Sequence, residues 1–426
     1  MIMTNASNCY AIISVKQESQ SAGQWNHSEG RSCFKVKILF ISSLYPVQEG
    51  HYRAEVITHA LHHFTREWAQ NHEIQVIRPL FINLNPINIY HFFPDTVKPG
   101  HYTLDHISIH ALPVYRIPKT EYYFIHKIKD YLARSDFSPD IIVAHFGRSI
   151  LLGNILSRRL KIPLYSGVHI SDILHLSHNS FLKKDLVKAL NQSQGIACRS
   201  PSILNRLSSH FPELAHKMFP AYSGIDADSI NYDAYNQKKE LPWRKGRKLI
   251  ISTVSSLIPR KKIDTLISAL FHFDGDWHLH IVGGGPERPH LEKMAHDYGL
   301  TGKITFYGYI SPDQAQQIMA QSHLFIMPSE NETFGIAYLE AMAQANIVIG
   351  GKNTGVDGLI TDHREGFFVT PGDSDELSTL LNNIYCYMPI DQLQGLLNRS
   401  FSFIQKMTFS SQASQYLNHI NALRSQ

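Results

Sequence analysis

Cysteine is scarce in this sequence. Its four cysteines, Cys9, Cys33, Cys198 and Cys386, stand far apart and form no C-x-x-C pair. Neither a disulfide framework nor a thiolate metal site is expected, and the chain reads as a protein of a reducing compartment. Long apolar runs are missing too. No stretch approaches the ~20 apolar residues needed to cross a bilayer. Near the start, Ser, Asn and Gln interrupt every short apolar run, so no secretory signal is expected there. Charge of one sign is sparse: 40 Lys and Arg against 36 Asp and Glu leave +4. That is too little to argue for nucleic acid, while a mildly basic surface suits an anionic substrate or membrane. The 25 histidines are many, yet no H-E-x-x-H or Cys/His cluster appears, and no metal site is expected from them.

What is present is a repeated alternation of short apolar runs and helical patterns. A chain of 426 residues is too long for one compact core, and two domains are the natural expectation. Residues 1–34, rich in Ser, Asn and Gln, are expected as an extension without a core of their own. Apolar runs at 36–41, 74–77, 107–112, 140–144 and 163–167 read as buried strands, with helices at 54–70, 121–134 and 149–160. A polar stretch, 231–247, reads as a linker. The pattern then restarts. Strands are expected at 249–254, 278–282, 304–306, 324–327 and 346–349, and helices at 264–271, 287–298, 312–321 and 336–344. Alternating β and α elements predict doubly wound sheets, an N-terminal domain over 35–235 and a C-terminal one over 236–390. The expected fold class is α/β with two Rossmann-like domains. Ligands of such folds bind beyond the carboxyl ends of the strands, so the cleft between the domains is the expected site.

The strongest chemical signal is residues 328–343, PSENETFGIAYLEAMA. A strand ends at Pro328, a loop carries Glu330 and Glu332, and Gly335 allows close backbone approach before a helix begins. Glu340 follows Glu332 within that helix. Free N–H groups and the dipole at a helix N-terminus suit a phosphate. Carboxylates beside it would repel a bare anion and more naturally accept hydrogen bonds from hydroxyls. Phosphate plus hydroxyls means a sugar phosphate or a nucleotide. Taken alone, the acids fit a solvated helix start equally well. Three further pieces sit after predicted strands of the same half: Arg260, Lys261 and Lys262; the turn 281–287 with Gly283, Gly284 and Gly285; and Phe306 to Tyr309. A charge run is usually solvated and a glycine triplet is often only a turn.

In their order, these pieces resemble the donor-binding half of retaining glycosyltransferases of the GT-B fold, the group often called family 4. The matched elements are P-x-K-x-x-D at Pro259, Lys261 and Asp264, I-V-G-x-G-P-E at 281–287, F-x-G-Y at 306–309, E-x7-E at Glu332 and Glu340, and G-F-x-V-x-P-G-D at 366–373. The N-terminal half matches more loosely, at Tyr45-Pro46, 144–147, His169 to Asp172, Arg199-Ser200 and 223–226. The resemblance implies that Glu340 binds the donor ribose. It implies that Glu332, with the backbone of Thr333, Phe334, Gly335 and Ile336, holds the transferred sugar. It also implies that Lys261 neutralises the diphosphate and that His169 faces the sugar from the N-terminal domain. Gly284, Tyr309, Arg260 and Ser256 complete the expected donor-binding set. The implied co-substrate is a nucleotide-diphosphate sugar, with no metal and no other cofactor. The implied acceptor is a glycan or polyprenyl-linked saccharide in cell-surface polysaccharide synthesis. Residues 391–426 are expected to form a helical segment that packs back on the N-terminal domain. Two positions depart from the pattern. Ser256 stands where most relatives carry Arg, unless Arg260 reaches in instead, and Ile170 replaces a glycine beside His169.

Competing readings fare less well. A dinucleotide oxidoreductase would show G-x-G-x-x-G after its first strand, and residues 41–46 offer nothing similar. A metal-dependent transferase would need an Asp-x-Asp site; Asp226-Ala227-Asp228 and Asp274-Gly275-Asp276 fit that string, the latter reading as an ordinary turn. A GT-B-shaped scaffold without catalysis is the alternative of a different class, and Ser256 is the observation in its favour. Basic and aromatic residues at 122–129 and 181–184 suit peripheral contact with an anionic membrane, though ordinary amphipathic helices look the same. The expected location is cytoplasmic, at most peripheral on the inner face of the plasma membrane.

Overall fold

The computed structural model describes residues 35–47, 59–82, 97–115, 120–177, 183–241, 244, 246 and 248–425. The expected extension 1–34, residues 54–58 of the expected helix 54–70, and Phe181 lie outside them. The N-terminal sheet contains β1 (Lys37–Ser42), β2 (Glu73–Ile82), β3 (Gly100–Leu104), β4 (Ile107–Tyr115), β5 (Ile141–His145), β6 (Leu164–Val168), β7 (Gly195–Cys198) and β8 (Met218–Pro220). Their order is β3-β4-β2-β1-β5-β6-β7-β8, parallel except for the β3–β4 pair. That hairpin escapes the sequence reading because its two-residue turn, Asp105-His106, takes positive φ without a glycine. Asp105 is held there by His62, whose Nε2 lies 2.9 Å from its carboxylate.

One face of this sheet packs on α2 (Thr120–Arg134), α3 (Gly147–Leu160), α4 (Ile170–Ser177), α5 (Lys183–Gln192) and α6 (Pro201–His210). Phe124, Ile125, Ile128 and Leu132 of α2 point into that core, while Lys127 and Lys129 stay exposed. The other face meets α1 (His59–Ala69).

The C-terminal sheet contains β9 (Leu249–Val254), β10 (Trp277–Val282), β11 (Ile304–Gly308), β12 (Leu324–Met327), β13 (Ile347–Gly351) and β14 (Phe367–Val369). Its order is β11-β10-β9-β12-β13-β14, all parallel. Numbered within the domain this is 3-2-1-4-5-6, the doubly wound order, and β4-β2-β1-β5-β6-β7 repeats it in the N-terminal sheet. The expected fold class therefore holds. Between the strands run α8 (Ile263–Phe271), α9 (Arg288–Asp297), α10 (Pro312–Gln321) and α11 (Ile336–Ala343), followed by α12 (Ser374–Asn382) and α13 (Ile390–Ile404).

Two stretches differ in detail from the sequence reading. The polar segment 231–247 contains a helix, α7 (Tyr232–Lys238), docked on the C-terminal domain. Asn231 N donates to Ala343 O, Tyr235 stacks on Phe401 at 4.2 Å, and Lys238 is buried against Met319 O and Gln344 O. The chain therefore crosses between domains earlier, near Ser223 to Asp226. The segment 391–426 divides as well. Leu393, Leu396, Leu397, Phe401 and Ile404 of α13 join the C-terminal core, whereas Ala413, Tyr416 and Ile420 of α14 (Phe409–Arg424) join the N-terminal one. The return crossing lies directly beside the outward one: Ile225 N donates to Met407 O and Phe409 N donates to Ile225 O, both at 2.8 Å.

Candidate functional site

In a doubly wound sheet the crevice opens where strand order reverses, here between β9 and β12. The loops that leave those two strands carry the predicted residues. After β9 the chain runs through Ser255 and Ser256 to a short turn, Pro259–Lys261. This loop interlocks with the glycine turn after β10. Leu257 N donates to Gly284 O at 2.9 Å, and a Cβ on Gly283 or Gly285 would overlap the carbonyls of Ser255 or Leu257. Tyr309, 65% exposed, leans against Gly284, where a Cβ would lie 2.5 Å from its ring.

Lys261 is not a solvated member of a charge run. It is buried and donates to Glu332 Oε2. Arg260, half-exposed, donates to the same oxygen at 3.2 Å. Burial by itself would push the Glu332 carboxyl up; Lys261 and Arg260 outweigh it and hold the group below its ordinary value. Glu332 is thus an ionised, largely buried carboxylate shared by two cations. Its backbone is clamped by a loop 22 residues on. Glu332 N donates to Thr354 Oγ1 at 2.5 Å, and Thr354 Oγ1 and Gly355 N donate back to Glu332 O, each at 3.1 Å. Thr354 and Gly355 are absent from the sequence-derived set; Asn353-Thr354-Gly355 carries a turn signal but nothing that points to Glu332.

Helix α11 starts at Ile336 with Gly335 as its cap, in left-handed backbone (φ 83°) and with no side-chain capping bond. Among the described residues its first N–H groups have no side-chain acceptor, and a Cβ on Gly335 would lie 3.3 Å from Glu332, the partner of Lys261 and Arg260. Tyr338, Leu339, Ala341, Met342 and Ala343 are buried, leaving Ile336, Ala337 and Glu340 on the open face. Ile336 and Glu340 are one turn apart on that face. The Glu340 carboxyl makes no hydrogen bond or ion pair among the described residues, and burial raises it. Phe334 is buried and stacks on Tyr222 at 5.9 Å.

His169 belongs to a different group, at the carboxyl ends of β5 and β6. Its Nε2 lies 3.0 Å from His145 Nδ1, and Phe146 stacks on its ring at 3.7 Å. Asp172 accepts from His169 N and from Gly147 N, each at 2.8 Å. Burial, then neighbouring positive charge from Arg199, keeps His145 well below its ordinary value; burial also depresses His169. Arg199 is itself buried, donating to Ala221 O and Ser223 Oγ over the face of Phe64. No hydrogen bond joins His169 to Glu332 among the described residues. The two domains do meet at their carboxyl edges. Arg206 of α6 donates to Asn331 Oδ1 (3.4 Å) and Asn353 O (3.2 Å), and Pro201 packs against Gly358. Both predicted groups thus lie on edges that face each other.

The Asp-x-Asp strings stand elsewhere. Asp226 caps a short turn by accepting from Asp228 N at 3.1 Å. Asp274 and Asp276 precede β10, at the amino edge opposite the crevice. Among the described residues no three His, Cys, Asp or Glu side chains gather as metal ligands, and no helix is long and apolar enough to cross a membrane.

Known proteins resemble the half of the chain that carries these loops. Residues 233–385 match the family described as glycosyl transferases group 1. Over 261 residues the chain is 25% identical to the sulfoquinovosyl transferase SQD2 of Arabidopsis thaliana, covering 58% of this chain and 50% of the relative. Over 167 residues it is 32% identical to the GDP-mannose-dependent alpha-(1-6)-phosphatidylinositol monomannoside mannosyltransferase of Mycobacterium tuberculosis, covering 36% and 43%. The chain thus spans about half the length of these curated relatives. Among solved structures, Anabaena Alr3699/HepE in complex with UDP superposes with a TM-score of 0.67 at 18% identity, covering 91% of this chain and all of that one. The C-terminal half of this chain is therefore similar to the glycosyl transferases group 1 domain, within a two-domain fold shared with that solved structure.

Proposed function

We propose that the chain is a glycosyltransferase that moves a sugar from a nucleotide-diphosphate donor to a glycan or lipid-linked saccharide. In this reading the anomeric configuration is retained and no metal takes part. The observation that carries the reading is the buried Lys261–Glu332 pair beside the N-terminus of α11, at the point where strand order reverses. A departing diphosphate needs positive charge that is in place before reaction. Lys261, Arg260 and the uncapped N–H groups of α11 supply it. Glu332, already ionised, accepts from sugar hydroxyls, and Glu340 on the open face of α11 accepts from the ribose. Thr333 to Ile336 line the sugar side, Gly284 and Tyr309 flank the nucleotide side, and Ser256 adds a neutral hydroxyl where a cation is usual. The bond from the anomeric carbon to the diphosphate breaks as the acceptor oxygen bonds that carbon on the same face. The acceptor's proton passes to a donor phosphate oxygen.

The test is a screen of UDP-, GDP-, ADP- and dTDP-sugars for binding and slow donor hydrolysis, with and without EDTA. Binding and turnover of one donor class, indifferent to chelator, are expected; loss of all activity with EDTA would remove the metal-free claim. Glu332→Gln should lower turnover about 100- to 1,000-fold while nucleotide affinity changes little, and near-normal turnover would sink the role given to Glu332. Contact with an anionic membrane is part of the proposal only through the exposed lysines of α2, and vesicle flotation at low salt tests it. Ser256 favours a second reading, a binding or scaffold protein. Donor-analogue binding without turnover on any acceptor would select that reading.

A further inference from the structure

Within this reading of the site, the C-terminal helix reaches into the N-terminal domain and touches the histidine pair. Tyr416 of α14 is fully buried, and its hydroxyl lies 3.1 Å from His145 Nε2. His145 Nδ1 in turn lies 3.0 Å from His169 Nε2. Three groups from three distant parts of the chain therefore form one line of hydrogen bonds. The surroundings fix the middle member. Phe40 stacks on the His145 ring at 5.3 Å, and the ring lies over Gly167 of the neighbouring strand, where any Cβ would overlap it. Such a line has only two internally consistent proton arrangements, because each neutral imidazole carries a single N–H. Both rings are buried, and Arg199 further disfavours a positive charge on them.

The Tyr416 hydroxyl has no other hydrogen-bond partner among the described residues, so His145 is the one acceptor open to its proton. A buried donor left unmade is costly, and this selects between the two arrangements. We propose that Tyr416 and His145 are positioning residues that lock His169 in its Nδ1–H tautomer. The hydroxyl donates to His145 Nε2, His145 Nδ1–H donates to His169 Nε2, and His169 is left with Nδ1–H as its free ring atom. His169 then offers a hydrogen-bond donor. Its partner in a ligand must be an acceptor, a hydroxyl or phosphoryl oxygen, and His169 is not a general base.

The tautomers are read directly by long-range proton–nitrogen NMR on the full chain with nitrogen-15 histidine, without any donor. His169 substitution assigns the resonances. Protonated Nδ1 on both His145 and His169 is expected. Tyr416→Phe removes the directing proton, and the His169 Nδ1 resonance should move toward the unprotonated position, with Gly167→Ala as an independent displacement of the His145 ring. An Nε2–H tautomer on His169 in the unmodified chain overturns the proposal, whether or not the variants fold. So does an unchanged His169 in folded Tyr416→Phe. Because no substrate enters the measurement, its failure and the failure of the glycosyltransferase reading are separate results.

Discussion

Lys261 and Arg260 are adjacent in sequence and bond the same carboxylate oxygen, yet their surroundings set them apart. Lys261 is buried with Glu332, so Lys261→Met leaves a buried charge with one half-exposed partner. A loss of about 3–5 kcal/mol of stability is expected. Arg260→Met removes a partner that water already screens, and a change of about 0–1 kcal/mol is expected. Urea denaturation of both variants measures the contrast, and equal losses would contradict it. The pH dependence should also invert. In the unmodified chain the Glu332 carboxyl is depressed, so its contribution is present above the ordinary carboxyl range and is lost as pH falls through the lowered value. Without Lys261, burial dominates and raises the group, so stability should instead fall as pH rises through the acid range. Both residues were legible in the sequence as site candidates, since P-x-K and E-x7-E follow predicted strands, but their pairing with each other was not. The Thr354 clamp on Glu332 was not, because it depends on the loop after β13 returning beside the one after β12. The His145–Tyr416 contact spans 271 residues, and no local pattern encodes it.

Among the elements, strands read well and connections less so. The predicted strand 249–254 and helix 312–321 coincide with β9 and α10, because buried parallel strands and a Ser-Pro helix start are local signals. Helix α7 was hidden because Lys238 looks like linker chemistry. In the fold its ammonium donates to two carbonyls at the ends of α10 and α11, and burial pushes it down to about 7. A buried lysine carries its charge at a cost below that value, and the cost is relieved as pH rises toward the ordinary lysine range. Stability from this group should therefore climb between pH 7 and 9, by at most about 1.4 kcal/mol per pH unit. Lys238→Met should abolish that climb. Parallel denaturation of the two proteins at both pH values makes the comparison, and identical slopes would refute the assignment.

At the scale of the whole molecule, the two domains are joined by two neighbouring crossings. Gly224 is the tight point, since any Cβ there would overlap the backbone of Thr408 and Phe409. Neither crossing can yield without breaking the Ile225 hydrogen bonds, so Gly224→Ala should cost about 1–3 kcal/mol, seen as a lower denaturation midpoint. An unchanged midpoint would show that the crossings are loosely held. The same geometry has a wider consequence. Because α14 completes the first domain's core, the chain leaves that domain near residue 225 and re-enters it near residue 408, side by side. The C-terminal domain is therefore an insertion, a cassette whose two ends are neighbouring backbone segments, about 5 Å apart in the manner of paired strands. Exchanging residues 226–407 between chains of this fold would replace one complete Rossmann unit and leave the other, including the line from Tyr416 to His169, uncut.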